Sequence, residues 1–257
     1  MAADFRKRLL AGEPLIGTWV KTPSHIVADV LGLTPLDCVC LDAEHAPFDR
    51  IAIDASVASL RAAGMASLVR IPHLASEHVL NALDCGATGV VAPHIRSVEE
   101  GQALAAMSRY GAGGRGYAGS SRAAGYTTRA MAENLRRGNE ETAVIAQIED
   151  LEALDAIDDI AAVEGVDCLF IGRIDLTVAM GAASPNDDGV IKAVEKICAA
   201  GKNAARRVGM FVSDVAEIPK WRAAGASLFI LKSDHSFILE GAEKLRQDFD
   251  QSLSETP

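Results

Sequence analysis

The chain has 257 residues, of which 49% are hydrophobic, and its formal net charge is −10. This length suits one large α/β domain or two small ones, and the apolar content suffices for a core without disulfide or metal staples. The acidic charge argues against nucleic-acid binding, which requires a basic face. No apolar run approaches about 18 residues and the N-terminus is polar, so we expect neither a membrane span nor a signal peptide.

The five cysteines are odd in number, contain no C-x-x-C motif and mostly lie within apolar runs. This pattern is typical of reduced, buried cysteines in a cytoplasmic protein. A metal clamp formed by Cys38 and Cys40 is conceivable, but no third soft ligand follows nearby. The cysteines are Cys38, Cys40, Cys85, Cys168 and Cys198.

The predicted elements repeat a strand followed by a helix along most of the chain. Helix starts are marked by Ser or Asp caps and helix ends by glycines. The predicted strands are 16–20, 38–41, 66–71, 89–93, 143–149, 167–172, 209–212 and 227–231. The predicted helices are 4–10, 24–30, 49–63, 76–85, 97–110, 151–163, 190–200, 214–224 and 237–253.

A segment rich in Gly, Arg and Tyr, residues 111–137, interrupts this order. A loop of this length in a compact domain is usually functional or mobile. Its Gly113-Gly-Arg-Gly116 sequence lacks the Lys-Ser/Thr that a phosphate-binding loop requires. We therefore expect the loop to shape the mouth of a site or to form a subunit contact.

Eight strand–helix units with continuous apolar strands predict a parallel sheet covered by helices. Eight such units close a barrel, and no linker divides the chain. The sequence therefore predicts an α/β fold, a single TIM-type (β/α)8 barrel spanning residues 1–257.

Polar residues cluster where the predicted strands end, which is where barrels carry their chemistry. After the second strand, Asp42 could accept the Nδ1–H of His45 and leave its Nε2 as a base. An N-terminal helix cap is the alternative interpretation of these charges.

Two further carboxylates, Glu149 and Asp175, follow neighbouring strands and can converge on one ion. Such hard oxygen ligands suit Mg²⁺ or Mn²⁺, although each carboxylate could instead cap a helix. Backbone N–H groups after Gly172 could hold a substrate carboxylate.

Five motifs, in order and at uninterrupted spacing, resemble the HpcH/HpaI aldolase family. This family includes 4-hydroxy-2-oxoheptanedioate aldolase and 2-dehydro-3-deoxyglucarate aldolase. The motifs are Asp42-x-Glu44-His45-x-Pro47, Val69-Arg70-Ile-Pro72, Gly113-Gly-Arg-Gly116, Gln147-Ile-Glu149 and Glu164-Gly-Val-Asp-x-Leu-Phe-Ile-Gly172-x-x-Asp175-Leu176.

The resemblance implies a class II pyruvate aldolase that reversibly cleaves 4-hydroxy-2-oxo acids to pyruvate, or a related 2-oxo acid, and an aldehyde. Glu149 and Asp175 would hold a divalent metal, Mg²⁺ or Mn²⁺ with Co²⁺ possible. Arg70 would stabilise the enolate oxygen, and the pair of Asp42 and His45 would move the proton through a water molecule.

The resemblance also implies a homohexamer, a trimer of dimers, in which Asp84 of a neighbouring subunit approaches the site. Members of the family serve in the catabolism of aromatic or sugar acids. The residues expected to bind substrate are Trp19, Gln147, Gly172, Ile174, Asp175 and Val212.

The chain departs from the family pattern at the expected mouth. Arg173-Ile174 stands where relatives usually have Pro and a small residue, Lys232 stands where Gly is frequent, and His94-Ile-Arg96 replaces Met-Val-Asn. We hypothesise that Lys232, Lys21 and Arg173 favour anionic or strongly polar aldehydes; two solvated lysines are the alternative.

Three other functions stay open at this point. Lys232 could form a Schiff base in a metal-independent aldolase. The chain could be an acyl-CoA lyase of the citrate lyase beta-like group, although those relatives tend to be longer and to show a different acid pair. A non-catalytic barrel that binds a keto acid is the third.

Overall fold

Eight parallel strands form a closed barrel in chain order, and β1 pairs with β8 to complete it. The structure, a computed structural model, describes residues 4–254. The strands are β1 (Leu15–Val20), β2 (Cys38–Asp42), β3 (Ala66–Arg70), β4 (Gly89–Ala92), β5 (Ala143–Ile148), β6 (Cys168–Ile171), β7 (Arg207–Phe211) and β8 (Ala226–Ser233). The predicted single-domain (β/α)8 barrel is confirmed.

Twelve α-helices surround this barrel in the described part of the chain. They are α1 (Phe5–Ala11), α2 (His25–Gly32), α3 (Arg50–Ala62), α4 (Ser76–Asp84), α5 (Val98–Ser108), α6 (Met131–Glu141), α7 (Leu151–Asp155), α8 (Ile157–Ala162), α9 (Arg173–Ala179), α10 (Asp188–Asn203), α11 (Ile218–Ala224) and α12 (Asp234–Ser254). A 3₁₀ turn, Val215–Glu217, precedes α11.

The prediction of a loop over residues 111–137 is wrong in its last part, because α6 begins at Met131. This helix buries only Asn134, so it lacks the apolar stripe that would mark it in the sequence. Ion pairs such as those of Arg136 with Glu133 and Glu140 line its exposed face. The predicted helix 151–163 is likewise two short helices, which meet at Ala156.

The core has two layers. Inside the barrel, Trp19, Leu68, Ile145 and Phe170 pack with the buried side chains of the other strands, and Phe5 of α1 joins them. A larger cluster lies between the strands and the surrounding helices. All five cysteines are buried and unpaired, and burial raises the pKa of their thiols.

None of the helices in residues 4–254 is long and apolar enough to cross a membrane. The parallel topology places the carboxyl ends of all eight strands at one end of the barrel, which we call the mouth. The opposite end carries the strand starts and the helix ends, and we call it the base.

Candidate active site

A buried ion pair joins the ends of two neighbouring strands at the mouth. The register pairs Asp42, the last residue of β2, with Arg70, the last residue of β3. Arg70 donates from Nε to Asp42 Oδ1 at 3.0 Å and from Nη2 to Oδ2 at 2.8 Å. This two-point contact fixes the plane of the guanidinium. The remaining nitrogen, Nη1, faces the rest of the site and lies 3.3 Å from Glu44 Oε2.

Asp42 has further partners that keep it ionised. Lys21 Nζ donates to Oδ2 at 2.9 Å, and the backbone N–H groups of Glu44 and His45 donate to Oδ1. Burial alone would raise the pKa of Asp42, but the hydrogen bonds and charge of Arg70 and the Lys21 contact outweigh it and lower the pKa to about 2. Asp42 therefore stays a carboxylate at neutral pH.

The predicted hydrogen bond between Asp42 and the imidazole ring of His45 is not formed. In the part of the chain that the structure describes, Asp42 receives the backbone N–H of His45 instead, at 3.1 Å. The ring of His45 is 55% exposed, and its Nε2 lies 3.8 Å from Glu44 Oε2. The oxygens of Asp42 are already occupied by Arg70 and Lys21, which accounts for the difference.

An aromatic wall supports the guanidinium of Arg70 from inside the barrel. The Arg70 Cζ atom lies 4.3 Å from the centroid of the Trp19 ring. Trp19 in turn meets the ring of Phe170 edge to face, with centroids 6.0 Å apart. Such cation–π contacts are stronger where water is excluded. Trp19, predicted to bind substrate, thus contacts the predicted catalytic arginine.

Three side chains at the mouth form a group that could hold a metal ion. One ligand atom each from Glu44, His94 and Glu149 lies within 4.8 Å of the others. Glu149 follows β5 and is 2% exposed. Its Oε1 accepts the backbone N–H of His94 at 3.0 Å, and Gln147 donates to its Oε2. Glu44 Oε2 is buried and accepts no hydrogen bond.

Burial is the main cause that raises the pKa of Glu44 and of Glu149. The charge of His94 opposes this rise at both carboxyl groups, as does Arg70 at Glu44, but both pKa values stay above the usual one, and the nearby charge of Asp175 adds to the rise. Asp175 lies in the first turn of α9 and is itself exposed. The predicted ligands Glu149 and Asp175 therefore lie within electrostatic range of one another and of Glu44.

His94 has an unusual backbone conformation for a residue other than glycine, with φ of 55°. Its Nδ1 lies 2.9 Å from Asp150 Oδ2, and its Nε2 lies 3.5 Å from Glu44 Oε1. Burial lowers the pKa of His94, but Asp150, Glu149 and Glu44 together raise it above the usual value. Strained conformations of this kind are frequent at functional sites.

Gly172 allows Glu149 to reach its position. A Cβ atom at residue 172 would lie 2.7 Å from the Cβ of Glu149, closer than side chains tolerate. Gly172 therefore has a steric role in addition to the role predicted for the backbone N–H groups that follow it.

The remaining predicted substrate-binding residues differ in burial. Gln147 is 1% exposed, and its Oε1 has no hydrogen-bond partner. Val212 follows β7 and is fully buried, whereas Ile174 of α9 is 43% exposed. Of these three, only Gln147 contacts the group around Glu149.

Asp84 lies away from the mouth of its own chain. It is the last residue of α4, so it lies at the base, and it forms an ion pair with Arg115. Asp84 could therefore act in catalysis only in the site of a neighbouring subunit, which is what the family resemblance implies.

The hypothesis that Arg173 helps to select anionic aldehydes is not supported by its position. Arg173 is 2% exposed and pairs with Glu217 at 2.6 Å. Lys232 is exposed and pairs with Glu240 of α12. Only Lys21, bound to Asp42, contacts the site, because the other two cations are held by carboxylates of α12 and of the 3₁₀ turn.

Sequence reasoning did not place Glu44 and His94 in the group that could hold a metal ion. Both stand two residues beyond a strand, and both were visible among the polar residues at strand ends. Nothing in their spacing indicates that the loops after β2 and β4 turn these side chains toward Glu149.

A second group of potential ligands, His73, Glu77 and His78, lies in the loop after β3 and the first turn of α4. Its members are more exposed than the first group, and the two imidazole rings meet edge to face. The positive end of the α4 dipole opposes a cation there.

Comparison with known proteins identifies the family. The sequence profile of the HpcH/HpaI aldolase/citrate lyase family matches residues 15–239. The chain belongs to this family. HpcH/HpaI aldolases are generally dependent on a divalent metal, and membership supports a lyase activity.

Individual relatives of the HpcH/HpaI family match over nearly the whole chain. A hydroxypyruvate/pyruvate aldolase of Paraburkholderia phytofirmans is 31% identical over 251 residues, which are 95% of this chain and 96% of the relative. A 5-keto-4-deoxy-D-glucarate aldolase of Shigella boydii is 30% identical, with 95% of each chain covered.

A solved structure of a family protein from Burkholderia cenocepacia superposes with a TM-score of 0.91. It is 32% identical and covers 96% of this chain and 99% of its own.

Proposed function

We propose that the chain is a divalent-metal-dependent aldolase that cleaves 4-hydroxy-2-oxo acids to pyruvate, or a related 2-oxo acid, and an aldehyde. The reaction is reversible. The proposal rests on the group formed by Glu44, His94 and Glu149 at the mouth, which lies beside the buried Arg70. A cation held by these carboxylates, together with the guanidinium of Arg70, would stabilise a substrate that develops negative charge on oxygen.

The residues at the mouth fit a divalent metal. Glu44 Oε2 is a buried carboxylate oxygen without a hydrogen bond among the described residues, and burial together with repulsion from Asp175 disfavours the charged forms of Glu44 and Glu149. A cation removes both penalties. We propose Glu149 and Asp175 as its ligands, with Glu44 and His94 close enough to contribute.

Oxygen donors from Glu149 and Asp175 favour Mg²⁺ or Mn²⁺, and an imidazole from His94 would also suit Mn²⁺ or Co²⁺. When bound, such an ion supplies positive charge to the carboxylate and 2-oxo oxygens of the substrate.

In cleavage, the 4-hydroxyl loses its proton, the C3–C4 bond breaks, and its electron pair moves to the 2-oxo oxygen. The aldehyde leaves, and C3 then takes up a proton to give pyruvate. Arg70 Nη1 is the donor that remains for the developing enolate oxygen, because Nε and Nη2 are held by Asp42. Asp42 thus acts by positioning Arg70.

We propose His45 Nε2 as the atom that exchanges the proton with the 4-hydroxyl. The ring is exposed at the mouth and borders Glu44, whereas the low pKa of Asp42 makes that carboxylate a poor proton acceptor. The backbone N–H groups after Gly172 and the ring of Trp19 would enclose the 2-oxo acid on its other sides.

Self-association into a homohexamer is part of the proposal. The C-terminal helix α12 has 21 residues, and Asp234 is its only buried one among those described. Large apolar side chains along it are exposed, which indicates a contact with another chain. They are Phe237, Ile238, Leu239, Leu245, Phe249 and Leu253. Light scattering after size exclusion tests the hexamer directly.

The free, buried cysteines support the predicted cytoplasmic location, because unpaired thiols are typical of reducing compartments. The exposure of Lys232 and its ion pair with Glu240 speak against a Schiff-base mechanism, which requires a desolvated amine.

The test is a retro-aldol assay on a panel of 4-hydroxy-2-oxo acids with pyruvate detection, run before and after metal stripping and readdition. We expect cleavage that EDTA abolishes and Mn²⁺ or Mg²⁺ restores. Two results together would overturn the metal-dependent mechanism in favour of the Schiff base. They are activity that survives EDTA and irreversible inactivation by borohydride in the presence of pyruvate.

A further inference from the structure

A cavity of about 220 Å³ lies at the base of the barrel. Its wall includes Thr88 and Thr142, which directly precede β4 and β5, so it is at the opposite end from Glu149. The other walls come from the end of α3, the end of α4 with the loop after it, the loop after α5 and helix α6. The proposed aldolase site does not use any of these residues.

Four guanidinium groups and one carboxylate line this cavity. The carboxylate of Glu141 pairs with Arg137, at 2.7 and 2.9 Å, and Arg115 pairs with Asp84. Arg61 and Arg129 have no carboxylate partner among residues 4–254: each donates only to neutral oxygens, Arg61 to the carbonyl of Gly86 and Arg129 to the carbonyl of Ala123 and the amide of Asn134. The cavity therefore carries excess positive charge in a protein whose net charge is −10.

The guanidinium groups repel one another. Partial burial lowers the pKa of Arg61, and the charges of Arg129, Arg122 and Arg137 lower it further. Arginine nevertheless stays protonated at neutral pH, so it cannot relieve this repulsion by losing a proton. A bound anion would relieve it.

Two buried donors of the cavity wall are also without partners. Arg115 Nε and Asn134 Nδ2 make no hydrogen bond, although the Arg115 side chain and Asn134 are each only 3% exposed. The ring of Tyr110 lies 4.7 Å from Arg115 Cζ and holds the guanidinium in place. Buried donors without acceptors are rare and costly, and they call for an acceptor from a ligand.

We propose that this cavity binds a compact tetrahedral oxyanion, either inorganic phosphate or the phosphate group of a small metabolite. The unpaired donors come from three segments, α3, the loop after α5 and α6, so they approach one ligand from several directions. A tetrahedral anion offers acceptors in several directions, and arginine forks match phosphate oxygens.

The test is isothermal titration of the full-length, metal-loaded protein with inorganic phosphate, at constant ionic strength in chloride buffer. A parallel titration uses glycerol 3-phosphate, so that the two sources of the phosphate group are distinguished. The variants are Arg129→Gln and the double variant Arg61→Gln/Arg129→Gln. Arg115 is left intact because it also holds Asp84.

The matched control is Arg136→Gln/Arg246→Gln, which removes the same charge from two exposed arginines on α6 and α12. A second control, Arg70→Gln, removes the anion-binding arginine of the mouth. Circular dichroism checks folding, and the single Arg129→Gln variant, in a loop, serves if the double variant is unstable.

We expect saturable binding of about one phosphate per chain, weakened about tenfold or more in Arg129→Gln and further in the double variant. Both controls should bind as the unaltered protein does. Tighter binding of glycerol 3-phosphate would assign the site to a phosphorylated metabolite, and tighter binding of inorganic phosphate would assign it to the free ion. Absence of saturable binding of either probe, or equal affinity in the arginine variants, would overturn the proposal.

Discussion

The mouth and the base of this barrel carry unbalanced charge of opposite sign. At the mouth, the nearby charge of Asp175 adds to burial in raising the pKa of both Glu44 and Glu149. At the base, Arg61 and Arg129 line one cavity, and neither has a carboxylate partner within residues 4–254. Like charges held close together repel one another, so an end of a fold that retains several charges of one sign is suited to a ligand of the other sign.

The base also shows what a fully paired site looks like. Asp167, just before β6, is 4% exposed and accepts hydrogen bonds from Arg6, Arg109 and the backbone N–H of Val144. All its charge is compensated within the chain. We therefore expect changes at the mouth to cost activity, and changes at Asp167 to cost stability.

The largest effect is expected for Glu149→Gln. The substitution keeps the shape but removes the charge that would bind the cation, and we expect kcat/KM to fall about 10³-fold or more, ~4 kcal/mol. Metal content should fall in parallel. The control is Glu140→Gln, which removes an exposed carboxylate of α6 and should leave kcat/KM unchanged. A Glu149→Gln enzyme with full metal content and full activity would contradict a metal-binding role for Glu149.

Asp167→Asn should destabilise the fold by about 3 kcal/mol, because two partly buried guanidiniums lose their carboxylate. Denaturant unfolding measures this loss. The folded variant should keep its activity per active site. Asp248→Asn, which removes an exposed carboxylate of α12, is the control and should change stability by no more than about 0.5 kcal/mol. If the folded Asp167→Asn variant lost most of its kcat/KM while its free energy of unfolding hardly changed, the distinction between the two ends would be contradicted.

Gly172→Ala should reduce kcat/KM about 30-fold, because the new methyl group would displace Glu149 from its position. This loss is smaller than the one expected for Glu149→Gln, because the carboxylate is displaced but not removed. Gly241→Ala in α12, where a Cβ atom meets nothing within 4 Å, is the matched control and should stabilise the helix slightly. Unchanged steady-state kinetics in Gly172→Ala would show that Glu149 need not lie where the structure has it.

The smallest effect is expected for Lys232→Ala, because Lys232 pairs with Glu240 and lies outside the acidic group. We expect kcat within about twofold of the unaltered enzyme, and unchanged relative rates for charged and neutral aldehydes. A selective loss with anionic aldehydes would restore Lys232 to the specificity site. Complete inactivation would point to a Schiff base.

The fold was predictable because each strand of a buried parallel sheet is a short, continuous apolar run. Helix α6 was not, since its contacts are mostly ion pairs on its exposed face and it has no apolar stripe. In both cases the hydrophobic pattern of the sequence determined whether the element could be predicted.

The candidate site was predictable where a strand end alone fixes a residue, as at Asp42, Arg70 and Glu149. It was not predictable where tertiary register chooses between partners. The register of β2 with β3 sets Asp42 beside Arg70, so the nearby His45 loses the hydrogen bond that its spacing suggested. The turn at His94, with φ of 55°, is likewise a property of the folded loop.

Anomalous diffraction from crystals grown with Mn²⁺ and pyruvate would locate the metal site. We expect one strong manganese peak at the mouth, coordinated by Glu149 and Asp175, with pyruvate between the ion and Arg70. A map without manganese at the mouth, or with the ion only at His73, Glu77 and His78, would contradict this expectation.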